Sequence, residues 1–424
     1  MSSAQRIVLL LFVASLLAGL VTGSTFYYRI AYLWIFLYLS SWGMSRLALR
    51  GVEFQRAARS LRSQVGQIFE ERYEVSNKSR LPRLWMEVRD ESELPGSRGS
   101  QVLSLIGGNE SRSYLVRTRL LERGVFTLGP TRIISGDLFG LFQVAKTFTA
   151  QDSLLVYPMM VDVEAFPSPV GWLSGGEALR RRTHQITANA AGVRDYVTGD
   201  PLNRIHWMST ARRNRLIVKE FELDPLAEVW IFVDASRFVH VSMPHQTALL
   251  DDRDMWRPSL KIPLPPSTEE YAVSIAASLA RFYLQRGRAV GMVSAGLTFQ
   301  VLAAEKGGRQ MGKILESLAL LRTQGKLPIQ GLIEAEVKNL PRGSTVIVIT
   351  PSTEENVVVT IELLGRRGMR PIIVLLNAAT FGGSEGTKKL AANLALLGVA
   401  VIQVSNGDDL SAALSSTAGS HLWV

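Results

Sequence analysis

The residues best equipped for chemistry fall into two short stretches. The first, residues 194–222, reads RDYVTGDPLNRIHWMSTARRNRLIVKEFE and mixes Arg194, Arg204, Arg212 and Lys219 with Asp195, Asp200 and Glu220. Guanidinium and carboxylate groups pair bidentately, so Arg194, Arg204 and Arg212 can close on Asp195, Asp200 or Glu220 as a fixed staple between domains. Gly199-Asp200-Pro201 supplies a turn, and Trp207 with Ile205 an apolar plug. The sharper reading of the same block, with Tyr196 and His206 included, is a docking surface for a protein partner. The second stretch is the apolar run 229–233 followed by Asp234-Ala235-Ser236. A carboxylate and a hydroxyl there leave the carboxyl end of a buried strand, where an α/β sheet places its site.

Other chemistries find little support. The chain has no cysteine, which excludes thiol nucleophiles, zinc-thiolate sites and disulfides. Glycine-elbow serine, zinc-helix and phosphate-loop motifs are absent from the sequence. Asp137-Leu-Phe-Gly140 has a kinase-like sound but none of the companion motifs, so it reads as a connector whose aromatics fill a core. His206 beside Trp207 reads as a hydrogen-bonded structural residue, and His240 and His245 are too loosely spaced to claim a metal. No catalytic residue and no cofactor is therefore expected from the residue pattern, Mg²⁺ at Asp234 and Ser236 being an implication only of the family resemblance given below.

The elements that must carry these residues divide the 424-residue chain unevenly. Residues 7–23 form an uncharged apolar run near the lower length limit for a bilayer-crossing helix, and 30–49 form a second one. Arg46, Arg50, Arg56, Arg59 and Arg62 follow the second run, while the turn between the two carries only Arg29. That bias predicts a two-helix hairpin with both ends in the cytoplasm. A cleaved signal peptide is the competing reading of the first run. The first 62 residues hold seven arginines against one acid, so most of the net charge of +10 sits there. The excess marks a membrane surface and argues against nucleic acid.

From residue 63 to about 170, short alternating runs such as 68–75 and 84–89 predict antiparallel strands in a sandwich. The Arg180–Arg182 run falls in a glycine-containing loop, where it reads as a solvated face or a contact for acidic partners or headgroups. The second half predicts strands at 229–233, 289–293, 298–303, 345–350, 371–376 and 399–404, and helices at 268–285, 309–322, 354–367 and 385–397. Apolar strands alternating with amphipathic helices predict a mostly parallel, doubly covered sheet, whose site lies at strand carboxyl ends. Asp234, Ser236 and Thr350-Pro-Ser352-Thr353 occupy such ends. The predicted plan is a membrane hairpin (1–50), a basic linker (51–62), a β-sandwich-like domain (63–170), the charged segment (171–222) and an α/β domain (223–424) with an insertion at 237–267.

This order of parts resembles the bacterial domain-of-unknown-function family numbered fifty-eight, with a terminal domain similar to the von Willebrand factor A domain. The resemblance rests on Asn77-Lys-Ser-Arg-Leu-Pro82, Arg123-Gly-x-Phe-x-Leu-Gly-Pro130, Asp137-x-Phe-Gly-Leu-Phe142, Val156-Tyr-Pro158 and above all residues 194–220. It implies a membrane-associated assembly or chaperone-like role beside MoxR-type AAA+ ATPases, without a known reaction. It also implies a divalent-cation site of the Asp-x-Ser-x-Ser type, of which Asp234 and Ser236 match while Phe238 replaces the second serine. The leading expectation is a non-enzymatic inner-membrane interaction protein. Metal-dependent ligand binding through Asp234 and Ser236, and hydrolysis using His206 and Asp200, are the alternatives, and any small-molecule ligand is unspecified.

Overall fold

The computed structural model describes residues 3–149, 152–167, 190–196, 205–221, 228–245 and 262–415. The two apolar runs are helices α1 (Ser3–Thr22) and α2 (Thr25–Ala48), turned on Gly23 at φ +68°. Gly19 lets them approach closely: a Cβ there would meet the Tyr28 ring at 3.2 Å. Among the described residues, α1 alone is long and apolar enough to cross a membrane, and a signal sequence has the same length and composition. The expected pair of spans is thus met by one. Tyrosines, tryptophans and serines dilute the apolar character of α2.

The sandwich begins earlier than expected. Residues 51–62, read as a linker, contain strand β1 (Val52–Ala58), which pairs antiparallel with β3 (Ile68–Asn77). β2 (Arg62–Gln64), β4 (Arg83–Asp90), β5 (Gln101–Ile106), β6 (Ser111–Arg119), β7 (Gly124–Leu128), β8 (Thr131–Gly136), β9 (Gln143–Phe148) and β10 (Asp152–Tyr157) follow. They form sheets ordered β1-β3-β6, β2-β10-β7 and β5-β4-β8-β9. β3 shows the alternation most clearly: Phe69, Glu71, Tyr73, Val75 and Asn77 are buried and the residues between them are not. Tyr73 and Val75 meet Met86, Val88 and Ile133 of the facing sheet in the core. Glu71 sits in that face because Arg56 covers it with two hydrogen bonds.

A small unit follows, made of the antiparallel strands β11 (Ala190–Asp195) and β12 (Ile217–Phe221) with helix α3 (Trp207–Arg213) before the second strand. Then comes a six-stranded sheet, built from β13 (Val229–Val233), β14 (Val290–Ala295), β15 (Phe299–Glu305), β16 (Thr345–Thr350), β17 (Arg370–Leu376) and β18 (Ala400–Val404). Its order is β15-β14-β13-β16-β17-β18, parallel except for β15. Every residue of β13, β14 and β16 is buried, as a sheet covered on both faces requires. The helices are α4 (Thr268–Gln285), α5 (Gly308–Leu320), α6 (Ile329–Glu336), α7 (Asn356–Arg366), α8 (Thr387–Leu396) and α9 (Leu410–Ser415). α6 was not anticipated, since its eight residues hold too few turns to show a period. Alternate strand side chains make two cores, one under α4 and α5 and one under α6, α7 and α8.

Residues 159–167 fall inside the span expected for the sandwich, yet they pack on the α/β half. Val161 donates its N–H to Ser278 Oγ, and Phe166 packs edge-on against Phe282 and Tyr283 of α4. A second tie between the halves is Arg123, whose side chain is wholly buried. It pairs with Glu269 (2.6 Å) and Glu270 in the first turn of α4 and donates to the Leu318 (3.2 Å) and Leu321 (2.8 Å) carbonyls at the end of α5. A cation there satisfies orphan carbonyls at one helix end while meeting carboxylates at the start of another.

Candidate functional site

β13 and β16 run side by side in the middle of the sheet, so the loops leaving their carboxyl ends meet. Asp234 is buried at that point. Its Oδ1 accepts the Ser236 N–H (3.0 Å) and its Oδ2 accepts the Thr350 hydroxyl (2.6 Å), which joins the two loops. Thr350 Oγ1 in turn accepts the Ser352 N–H (2.9 Å), and Ser352 Oγ accepts that of Glu354 (3.3 Å). The sequence reading brought Asp234, Ser236 and Thr350 to neighbouring strand ends, and the structure puts them in one network.

His240 closes the network from behind. One ring nitrogen, Nε2, lies 2.9 Å from the Asp234 carbonyl and the other, Nδ1, 3.0 Å from Thr268 Oγ1. With its proton on Nε2 the ring donates to the Asp234 carbonyl, while the Thr268 hydroxyl beside Nδ1 also reaches the Val241 carbonyl as a donor (3.1 Å). Burial lifts the Asp234 carboxyl above its usual range and holds the His240 imidazole below its own. Sequence spacing gave no sign of this histidine's place, because five residues of irregular loop separate it from Asp234.

The outer rim belongs to other residues. A cleft of about 260 Å³ is lined by Asp234, Ser236, Phe238, Val239, Lys326, Pro328, Ile329, Gln330, Ser352 and Glu354. Phe238 is 70% exposed, so the residue standing where a second serine was sought faces outward. The third loop, which brings Lys326, is pinned by Gly325. Its N–H donates to Ala235 O (3.0 Å) and its carbonyl accepts from Arg237 N (2.9 Å). A Cβ on Gly325 would fall 1.9 Å from the Ala295 carbonyl, so only glycine fits. Neither Lys326, Gln330 nor Glu354 announced itself in the sequence, since α6 and the loop before it carry no motif.

This donor set was tested against a divalent cation. Asp234 and Glu354 are the carboxylates of the cleft, Ser236 and Ser352 add hydroxyls, and both Asp234 oxygens already serve the loops. Lys326 brings an ammonium to the same rim, and no cluster of three or more His, Asp or Glu suited to a metal occurs among the described residues. The set fits an oxygen-rich cage poorly.

The charged segment is only partly comparable with its reading. Gly199, Asp200 and Arg204 lie outside the described residues, as do the Arg180–Arg182 run and Asp251, Asp252 and Asp254. Arg194, Lys219 and Glu220 are placed by their backbone in the β11–β12 pair, and Tyr196 donates its N–H to Leu216 O. His206 caps α3, accepting the Ser209 N–H at Nδ1 (3.1 Å), which is the structural role expected of it. Ile205 is buried, but Trp207 is 68% exposed and plugs nothing among the described residues. Arg212 is exposed, and Asp195 pairs with Arg215 (3.0 Å) on the surface.

Residues 192–247 match the family model described as Protein of unknown function DUF58. That span begins in β11 and ends beyond Asp234 and His240. A Bacillus subtilis (strain 168) protein described as uncharacterized protein YeaD is 24% identical over 254 residues, 58% of this chain and 55% of its own length. The chain thus spans about half the length of that curated relative. Among solved structures, the conserved hypothetical protein BatB from Bacteroides thetaiotaomicron is 18% identical, covering 45% of this chain and 95% of its own, with a TM-score of 0.30. The CARDB domain of a Pyrococcus furiosus protein is 13% identical and covers 25% of this chain and 91% of its own, with a TM-score of 0.18. Scores of that size carry no argument about function. Residues 192–247 are therefore the part of this chain that is similar to the DUF58 family.

Proposed function

We propose that this chain is a membrane-anchored, non-enzymatic interaction protein whose C-terminal half, of von Willebrand factor A type, receives a cytoplasmic partner at the cleft between β13 and β16. The partner class is the MoxR-type AAA+ ATPase implied by the family resemblance. The observation that carries the reading is the division of labour in the cleft. Asp234 and Thr350 are buried, His240 is half-buried, and all three are bonded to the loops themselves, while Phe238, Lys326, Gln330 and Glu354 form the open rim. Buried groups bonded in this way fix shape, and an exposed aromatic beside charged groups supplies recognition. The A-type assignment is supported by a central first strand, a single antiparallel edge strand and three loops converging at strand carboxyl ends. Contact through the Lys326 rim, without a bridging metal, is the mode the donor set favours.

The anchor is α1 with α2 beside it as a hairpin, and the sandwich and sheet lie on the cytoplasmic side. Tyr32, Leu33, Phe36, Leu39, Trp42 and Leu47 of α2 present apolar surface that the described protein leaves open, and the arginine cluster beginning at Arg46 follows.

The test is titration of a purified MoxR-type ATPase against the full-length protein in nanodiscs. Phe238→Ala and Lys326→Glu should each weaken binding by roughly tenfold or more, the loss expected for a residue at the centre of an interface. Chelating divalent metal should leave the affinity unchanged. Binding that ignores both substitutions would end the cleft reading. Binding abolished by chelation and by Asp234→Ala would replace it with the metal-dependent one.

A further inference from the structure

The turn between β8 and β9 displays large apolar side chains that its backbone holds outward. Asp137 is buried, and its carboxylate accepts three backbone N–H groups of the same turn: Phe139 (2.9 Å), Leu141 (3.2 Å) and Phe142 (2.6 Å). Trp85 Nε1 donates to the Asp137 carbonyl (3.4 Å) from β4, and Gly140 closes the turn at φ +69°. The result is a fixed tip with Leu138 60% exposed and Phe139 58% exposed, while Leu141 is buried beneath it. The sequence reading had these aromatics filling the sandwich core. The structure turns Phe139 the other way.

Single exposed apolar residues are ordinary on protein surfaces and need no explanation. The position of this pair sets it apart. Phe142 packs edge-on against Tyr38 of α2, with ring centroids 5.2 Å apart. Tyr38 lies well inside the helix, eight residues before Arg46, which is about 12 Å along the axis at ~1.5 Å per residue. Arg46 stacks on Trp42 (5.2 Å), a pairing suited to the headgroup level of a bilayer. The turn therefore meets α2 at Tyr38, on the apolar side of the Arg46 level. The charge of Asp137 would add no cost there, because three N–H groups already satisfy it inside the turn.

We propose that the 137–142 turn is a second membrane contact, its Leu138–Phe139 tip entering the interfacial layer of the same phospholipid bilayer that holds α1. The contact orients the sandwich against the membrane instead of leaving it swinging on a tether. An amphipathic wedge of this kind needs only to reach the boundary between headgroups and acyl chains. The inference rests on the anchored reading given above, and its test separates the two.

Because the chain lacks cysteine, single substitutions take a probe cleanly. Full-length Phe139→Cys, Leu138→Cys, Leu11→Cys and Leu396→Cys, each carrying a bimane label, would be placed in phosphatidylethanolamine–phosphatidylglycerol nanodiscs with spin-labelled lipid. Leu11 reports on α1 and Leu396, 86% exposed at the end of α8, on the α/β half. A blue shift and loss of emission at 138, 139 and 11, with no change at 396, is the expected result. Quenching at 11 but at neither 138 nor 139 overturns the wedge and leaves the anchor standing. No quenching at 11 overturns both. A matched melting curve for each labelled protein shows that the fold is kept, and the two tip positions guard against one disruptive substitution.

Discussion

Two regions of this protein are rich in arginine, and they use it in opposite ways. At the junction of sandwich and sheet, Arg123 is wholly buried and spreads its guanidinium over two carboxylates and two carbonyls. In the unit around α3, Arg212, Arg213 and Arg215 are exposed, and Arg215 pairs with the surface aspartate Asp195. Charge density along the sequence pointed to the second region as the inter-domain staple. The staple described by the structure is the first. A buried ion needs a saturated shell drawn from several elements, and one basic residue with partners about 150 positions away leaves no local signal.

Breaking the junction should give the largest effect. Arg123→Met keeps the length of the side chain but abandons Glu269 and Glu270, and the loss is expected at about 3–5 kcal/mol in a denaturant titration. Glu269→Gln should cost less, and the double variant less than the sum, since both remove one shared interaction. Burial alone would raise the carboxyl of Glu269. The hydroxyl and N–H of Thr323 together with Arg123 and Arg322 more than offset this and hold it below its ordinary 4.5. A depressed carboxyl stabilises the fold above its unfolded value and loses that contribution as pH falls through the folded one. Additivity of Arg123→Met and Glu269→Gln would show that the two groups do not act together.

The next effect joins the junction to the cleft. Thr323 bonds Glu269 through both its N–H (3.0 Å) and its hydroxyl (2.5 Å), and two residues later Gly325 docks on the Ala235 carbonyl. Gly325→Ala forces a methyl against the Ala295 carbonyl, so a cost of about 1–3 kcal/mol is expected, with the loop carrying Lys326 displaced from the rim. Amide exchange should speed up at residues 322–328 more than in β13 or β16. Uniform acceleration across the sheet would mean that the loop is not a separately held element.

These two regions also show what a sequence can disclose here. The strands of the large sheet were legible within a residue or two, because fully buried strands read as unbroken apolar runs and helix α4 carries a clean period with acids in its first turn. Asp234, Ser236 and Thr350 were legible as a group, since strand ends in such a sheet converge by topology alone. His240, Lys326, Glu354 and Arg123 were not. Each acts through a partner brought near by tertiary packing, and irregular loop leads to most of them. Strand β1 was hidden by Arg56 and the arginines flanking it, which read as a juxtamembrane cluster although Arg56 points into the sandwich toward Glu71. Trp207 misled for the converse reason, being an apolar side chain that the described protein does not bury.

The cleft adds a pH dependence. The folded state holds His240 below its ordinary 6.5, so on acidification the unfolded chain takes up a proton first. The contribution is complete above pH 6.5 and is lost as pH falls from there through the lower folded value. The raised Asp234 carboxyl works in the opposite direction, so the test is a difference: in urea titrations between pH 7.5 and 5, His240→Gln, which keeps a hydrogen bond to the Asp234 carbonyl, should lose less stability on acidification than the parent chain. An unchanged slope would mean that the ring titrates freely and does not brace the network.

The smallest expected effect is the most informative about the α3 unit. Trp207, Ala211, Met208 and Arg212 fall on one contiguous arc of the helix, while Ser209 bonds His206 and Thr210 receives the Ile217 N–H on the other side. Ile205, Ile217 and Val218 are the buried residues beneath. If the outer arc contributes nothing to the fold, Trp207→Ala should change stability by no more than about 0.5 kcal/mol, as for other surface sites. Arg215→Ala, which removes an exposed ion pair, should cost at most about 1 kcal/mol and less at high salt. Ile217→Ala, by contrast, empties a buried site and should cost about 2–5 kcal/mol if the unit is cooperative with the rest of the protein. A Trp207→Ala loss as large as that of Ile217→Ala would make the tryptophan a structural plug after all and return the staple to this segment. A small loss places the tryptophan and its arginines at a surface kept for contact, the opposite of the junction where Arg123 is sealed.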